Sequence, residues 1–129
     1  VNKNDLIFEL QKAGIKHNPE NILRIEKLSD NRIVFLEIGN LKSGFTHIIN
    51  NHQEDFLNRG IEINELTDAI MTAITQGTII GIQGNNRNIY EFNFKGIIQY
   101  ISVNISNNGY IVGANPTPRK LIIRFTQGI

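Results

Sequence analysis

The chain of 129 residues has no cysteine, so neither a disulfide framework nor a thiolate zinc site can be built from it. A cysteine-free chain suits work in a reducing compartment, or passage into one from an oxidising one. It has no apolar run near the ~20 residues that a bilayer span requires, and a soluble domain is expected. Neither sign of charge prevails: 13 Lys and Arg stand against 12 Asp and Glu, a formal net charge of +1. That removes the global basic field of many nucleic-acid binders, so any cationic patch must be local. Aromatic residues make up only 8%, which gives few stacking platforms and disfavours a sequence-specific nucleic-acid binder. No signal peptide opens the chain, and a start at Val1 instead of Met leads us to expect a piece of a longer protein.

What is present reads as one globular domain. Hydrophobic residues reach 40% and charged residues 19%, over a length that can bury a single core. A helix and hairpin are expected over 1–40, and helices plus an antiparallel sheet over 41–129. "NDLIFELQKAG" predicts a helix over 5–13, with Asn4 or Asp5 as N-cap and Gly14 as stop. "NILRIEKLSDNRIVFLEI" predicts strands at 22–28 and 32–38 around Ser29-Asp30-Asn31, with Ile22, Arg24 and Glu26 on one face and Leu23, Ile25 and Lys27 on the other. From a cap at Ser43, Phe45, Ile48, Ile49, His52 and Phe56 recur at helical spacing, predicting a helix over 43–58 that ends at Arg59-Gly60. Asn64 caps a second helix over 64–76, with Leu66, Ile70, Met71 and Ile74 inward and Gly77 as its end. Beyond Gly77 the period changes from 3.6 to 2. "TIIGIQ", "RNIYEFNF", "IIQYISVNI" and "GYIVGAN" are four strands with short turns, hence an antiparallel meander, and "KLIIRF" after Pro118 is a candidate fifth strand. The class is α+β.

Two of the three histidines lie in "GFTHIINNHQEDF". Five residues turn a helix by about 500°, which leaves the His47 and His52 side chains roughly 140° apart, whereas helical metal pairs sit at i and i+4. His17 lies in a separate "KHNPEN" loop, so neither a metal nor a cofactor is expected. His52 falls on the apolar stripe, where a histidine is more often a hydrogen-bonded core residue than a catalyst. His47 falls on the polar side, where a solvated imidazole is the commoner case. The sheet changes that weighing. "RNIYEF" carries Arg87, Tyr90 and Glu91, and the next strand carries Ser102 and Asn104. With Ile101, Val103 and Ile105 under the helices, Ser102 and Asn104 turn to the opposite, open face.

Such a constellation can cradle a phosphodiester. In metal-free RNA cleavage the ribose 2′-OH is the nucleophile, and the protein supplies a base, an acid and positive charge. Imidazole, with an ordinary pKa of about 6.5, suits proton transfer. A guanidinium such as Arg87 is permanently charged and binds phosphate bidentately. The expectation is therefore proton transfer by His47 and His52, charge stabilisation by Arg87, and orientation of substrate by Tyr90. Glu91, Ser102, Asn104 and Thr117 are further candidates. Lys42, Lys95, Arg119 and Lys120 are candidates for phosphate contacts, although each alone is more often a solvated surface cation. The rival is a non-enzymatic interaction module that uses the open sheet face to bind a partner protein.

The stretches "AGIKHNPENILRI", "VFLEIGN", "GFTHIINNHQEDFLNRGI", "NIYEF" and "NNGYIVGANP" together resemble a C-terminal toxin domain of large bacterial polymorphic exoproteins, as in contact-dependent growth inhibition. The resemblance spans roughly residues 13–116. It implies the barnase/EndoU/colicin/RelE-like ribonuclease fold, with N-terminal helices on a four- to five-stranded antiparallel sheet. Several such toxins cleave transfer RNA, and the resemblance implies that substrate here, in the cytoplasm of a target cell, for a domain carried secreted or at the cell surface as the tip of a larger exoprotein. The 2′,3′-cyclic phosphate ends are expected from the imidazole pair and the poor metal-ligand spacing. A cognate immunity protein and, as for some such toxins, elongation factor Tu are the implied partners. Because a face that attracts RNA phosphates also attracts carboxylates, an acidic patch of the inhibitor is expected over Arg87 and Lys120. In this family a catalytic histidine precedes the sheet, matched by His47 or His52. A late Thr-Ala-Tyr-Pro-like segment is replaced here by "GANP", Gly113 to Pro116, so either the hydroxyl comes from Thr117, Ser102 or Tyr90 or the mechanism differs.

Overall fold

A computed structural model describes residues 2–128, and Val1, where the chain was expected to have been cut from a longer one, lies outside them. The first helix, α1, runs Lys3–Lys12 and starts earlier than predicted. Asn2 is its cap: its side chain accepts the Asp5 N–H at 2.9 Å while the Asp5 carboxylate accepts the Asn2 N–H, a reciprocal box that Asn4 and Asp5 cannot make from inside the helix. After a 3-10 turn at Pro19–Asn21 come β1, Ile22–Lys27, and β2, Ile33–Glu37, an antiparallel hairpin. The alternation expected in β1 fails at its start. A bulge between Ile22 and Arg24 shifts the register, so Ile22 and Ile25 both turn inward and pack with Leu6, Leu10 and Phe35.

Helix α2 spans Phe45–Asn58 and ends at Arg59-Gly60 as expected, but Ser43 does not cap it. Gly44 occupies the cap position at φ 86°, where an L side chain would be strained, and Ser43 hydrogen-bonds the Tyr110 hydroxyl instead. Asn64 is likewise not a cap. A 3-10 turn at Ile63–Glu65, closed by Glu62 and Glu65, leads into α3, Leu66–Gln76, whose Leu66, Ile70, Met71 and Ile74 are all buried.

The sheet is an antiparallel meander in the order β3 (Thr78–Gln83), β4 (Arg87–Phe94), β5 (Ile97–Ile105), β6 (Ile111–Pro116). Lys95 and Gly96, both at positive φ, form the two-residue turn between β4 and β5. The inner face of the sheet, with Tyr90, Phe92, Ile101, Val103 and Ala114, packs on α2 and α3 in the main core. The hairpin closes one end through Val34 and Leu36, and the Phe35 N–H donates to Gly109 O at 2.9 Å.

The candidate fifth strand is a helix, α4, Arg119–Gln127. Pro118 presets the helical start. Leu121, Ile122 and Phe125 then fall at i, i+1 and i+4, a helical stripe that the short run "KLIIRF" hides. The helix crosses the outer face of the sheet to β3, where a Cβ on Gly81 would lie 2.6 Å from the Phe125 ring. Gly81 pairs with Ile89, which is fully buried on that face. The face expected to be open is half covered.

Candidate active site

Strand register builds the site. Arg87 pairs with Asn104, and Asn104 with Gly113, so the three share one row across β4, β5 and β6 on the outer face. The next row holds Ile89, Ser102 and Asn115. Helix α2 lies against β6, and its first residues are pinned there because the Gly44 N–H donates to Val112 O at 2.9 Å. His47 follows within one turn and reaches over the sheet edge. A Cβ on Gly113 would stand 3.3 Å from Arg87 Nη2 and 3.5 Å from His47 Cδ2. The two side chains therefore converge over a bare glycine, with the Nε2 edge of the imidazole turned to the same floor.

Each is held in place. Arg87 Nη1 donates to Asn115 Oδ1 at 2.7 Å, and the buried Asn115 amide donates in turn to Gln83 Oε1 at 3.1 Å and Pro116 O at 2.9 Å. Among the described residues no carboxylate pairs with Arg87, so its charge stays available to an anion. His47 Nδ1 lies 2.9 Å from Leu41 O and 3.0 Å from Asn51 Nδ2, and Asn51 also donates to His47 O. A proton on Nδ1 satisfies Leu41 and leaves the Nε2 lone pair free. A bare Nδ1 accepts from Asn51 and puts the proton on Nε2. Both tautomers are thus served, and the form with its proton on Nδ1 leaves Nε2 free to take up a proton.

The remaining predicted residues are spread more widely. His52 Nδ1 lies 3.0 Å from Asp55 Oδ2, and the imidazole, 29% exposed, stands further along α2 among different partners. Tyr90 is buried in the helix-packed core, on the face opposite Arg87. Residues three apart on a strand cannot share a face, and the expectation that Tyr90 orients substrate conflicts with that placement. Ser102 and Thr117 do share the outer face, but they are fully buried and hydrogen-bond each other at 2.8 Å. Neither hydroxyl is exposed to solvent, contrary to the open face expected for Ser102. Glu91 accepts a hydrogen bond from the Tyr100 hydroxyl at 2.7 Å, which, with burial, raises the tyrosine above its ordinary pKa. Asn104 remains half-buried beside Arg87.

Lys42 is exposed in the turn that presents Leu41 O to His47. Lys95 is ion-paired with Glu65 at the opposite end of β4 from Arg87. Arg119 and Lys120 are exposed in the first turn of α4. Arg119 lies close to Arg59, whose guanidinium donates to Thr117 O at 2.8 Å. Burial, aided by the Arg119 charge, lowers the Arg59 pKa against the pull of Asp55. Sequence reading missed Gly113, Asn115, Gln83 and Asn51. The first two sit in the "GANP" segment, and its register with β5 and β4 is the signal that finds them. Among the described residues no three His, Asp or Glu side chains gather as a metal site, and no helix is long and apolar enough to cross a membrane. No family model matches the chain, and no curated protein matches it as a relative.

Proposed function

We propose that this domain is an endoribonuclease toxin that cleaves RNA, transfer RNA in particular, by metal-independent transesterification. The observation that carries the reading is the convergence over Gly113 of His47 and of Arg87, which has no carboxylate partner among the described residues. His47 Nε2 takes the proton of a ribose 2′-OH. The oxyanion attacks the adjacent phosphorus, the 5′-oxygen leaves with a proton from solvent, and a 2′,3′-cyclic phosphate remains. Arg87, held by Asn115, carries the charge that grows on the phosphoryl oxygens. Asn104 offers an amide in the same row. Arg119 and Lys120 on α4, with Lys42 beside His47, are contacts for the flanking phosphates. His52, paired with Asp55, tunes the surface of α2 and stands outside proton transfer. The resemblance adds delivery as the tip of a larger exoprotein, action in the target cytoplasm, elongation factor Tu as an accessory, and an immunity protein whose acidic patch covers Arg87 and Lys120.

The test is incubation of the purified chain with total bacterial RNA in EDTA, followed by end-group analysis. Discrete fragments with 2′,3′-cyclic phosphate ends are expected. Cleavage abolished by EDTA and restored by Mg²⁺ would make it a metal-dependent nuclease. A folded chain that leaves all RNA intact would favour the interaction module.

A further inference from the structure

Behind the turn that holds His47 lies a second feature, a cleft of about 850 Å³ between residues 16–18 and the turn joining β5 to β6. We propose that it reads one unstacked base of the RNA strand cut beside His47, an inference that rests on the function proposed above. Its size falls within the range of small-molecule sites, roughly 300–1,000 Å³. Its polar groups are oriented and partly unspent. Asn40 Oδ1 accepts the Lys42 and Ser43 N–H groups, and Asn108 Oδ1 accepts the Ser106 hydroxyl and the Tyr110 N–H. Both amides are thereby fixed, with their NH₂ groups left as free donors among the described residues. Glu37 Oε2 accepts the Asn18 N–H at 2.9 Å, which leaves Oε1 as an acceptor.

Donors and an acceptor in one cleft match a heterocycle that carries both. The Glu37 carboxylate argues against a phosphate seated beside it, and Lys16, with no ion pair among the described residues, is the cation for a phosphate at the rim. Tyr110 is the aromatic residue in the lining, and bases out of a helix stack on such rings. It is held firmly, edge-on against Phe35 with centroids 5.8 Å apart and by its hydroxyl to Ser43 at 2.9 Å.

The cleft and the catalytic row are linked through one turn. Asn40 belongs to the turn whose Leu41 O anchors His47, and Tyr110 precedes Gly113 by three residues, about 10 Å of extended chain at most. That separation is within the reach of one RNA strand, its phosphate at Arg87 and His47 and a neighbouring base in the cleft.

Two experiments test this. The four ribonucleoside 5′-monophosphates, each titrated into His47→Ala protein, should shift the amide NMR signals of residues 16–18 and 106–110. Shifts confined to Arg87 and Gly113, or none up to the solubility of all four nucleotides, would overturn the proposal. The second uses Lys16→Ala/Asn107→Ala, two exposed side chains that line the cleft and make no internal hydrogen bonds among the described residues. Loss of about two hydrogen bonds should raise KM for transfer RNA roughly tenfold and relax the choice of cleavage site, with kcat held within about twofold. An unchanged KM together with an unchanged cleavage pattern would overturn it while leaving the ribonuclease reading intact. Nucleotide-dependent shifts in the cleft, together with no RNA cleavage by the chain with His47 in place, would do the reverse, keeping a nucleotide site and removing the nuclease.

Discussion

Two neighbouring rows of the sheet's outer face are made of the same strands, with the same alternation and similar polar residues, yet they have become different things. In one, the half-buried Arg87 and Asn104 lie with His47 about the buried Gly113, and the guanidinium has no counter-charge among the described residues. In the next, Ser102 is sealed from solvent and satisfied by the equally buried Thr117. The difference comes from α4 and from the absence of a side chain at Gly113. Polar residues on a strand become chemistry where water and substrate can reach them. Where a helix lies across them they become hydrogen-bonded filling.

That contrast can be broken most sharply in its reactive row. His47→Ala and Arg87→Ala should each cut RNA turnover by about 10²–10⁴ while the circular dichroism spectrum and melting temperature stay near the parent's. A comparable loss in Ser102→Ala at unchanged stability would show that the covered row is catalytic after all. Gly113→Ala comes next: its new Cβ would stand 3.3 Å from Arg87 Nη2, so the guanidinium must give by a few tenths of an ångström while the imidazole meets an ordinary contact, and kcat should fall by up to about tenfold in a folded protein. In the covered row, Ser102→Ala strands the buried Thr117 hydroxyl and should cost about 1–3 kcal/mol in denaturant unfolding, activity falling only with the folded fraction. His52→Ala removes a partly exposed pair with Asp55, worth about 0–1 kcal/mol, and should leave turnover within a few-fold of the parent.

The smallest effect belongs to Glu65. The hydrogen bond from Lys95 holds its carboxyl below the ordinary glutamate range. A depressed carboxyl stabilises the fold above its unfolded pKa and loses that contribution as pH falls through the folded value. The parent should therefore lose slightly more stability than Lys95→Ala on acidification below the ordinary range, while both cleave RNA equally.

Much of the scaffold was legible from period alone. The apolar stripes of α2 and α3, and the change at Gly77, define which faces meet in the core. The face of Tyr90 was legible too, because three positions along a strand from Arg87 is an odd step, but grouping residues by chemistry obscured it. Helix α4 was not legible, since six residues of "KLIIRF" satisfy both periods and only the sheet beneath them decides. The burial of Ser102 follows from α4 and was hidden for the same reason. The two histidines could be placed on different sides of α2, but which of them meets an arginine depends on how α2 lies against β6. That is a long-range fact, set by the Gly44–Val112 hydrogen bond and the bare Gly113.

The spread of partners along the chain also sets an order of assembly. Each strand of the meander pairs with the next across a short turn, so loop closure costs little and the sheet is expected to form early. The contacts that seat α2 on β6 are of another kind, the Ser43–Tyr110 hydrogen bond joining residues 67 apart. His47 reaches Gly113 only when that distant closure is complete. A chain with its sheet already paired thus still has His47 and Arg87 apart, and the pair over Gly113 is complete only at the final docking step.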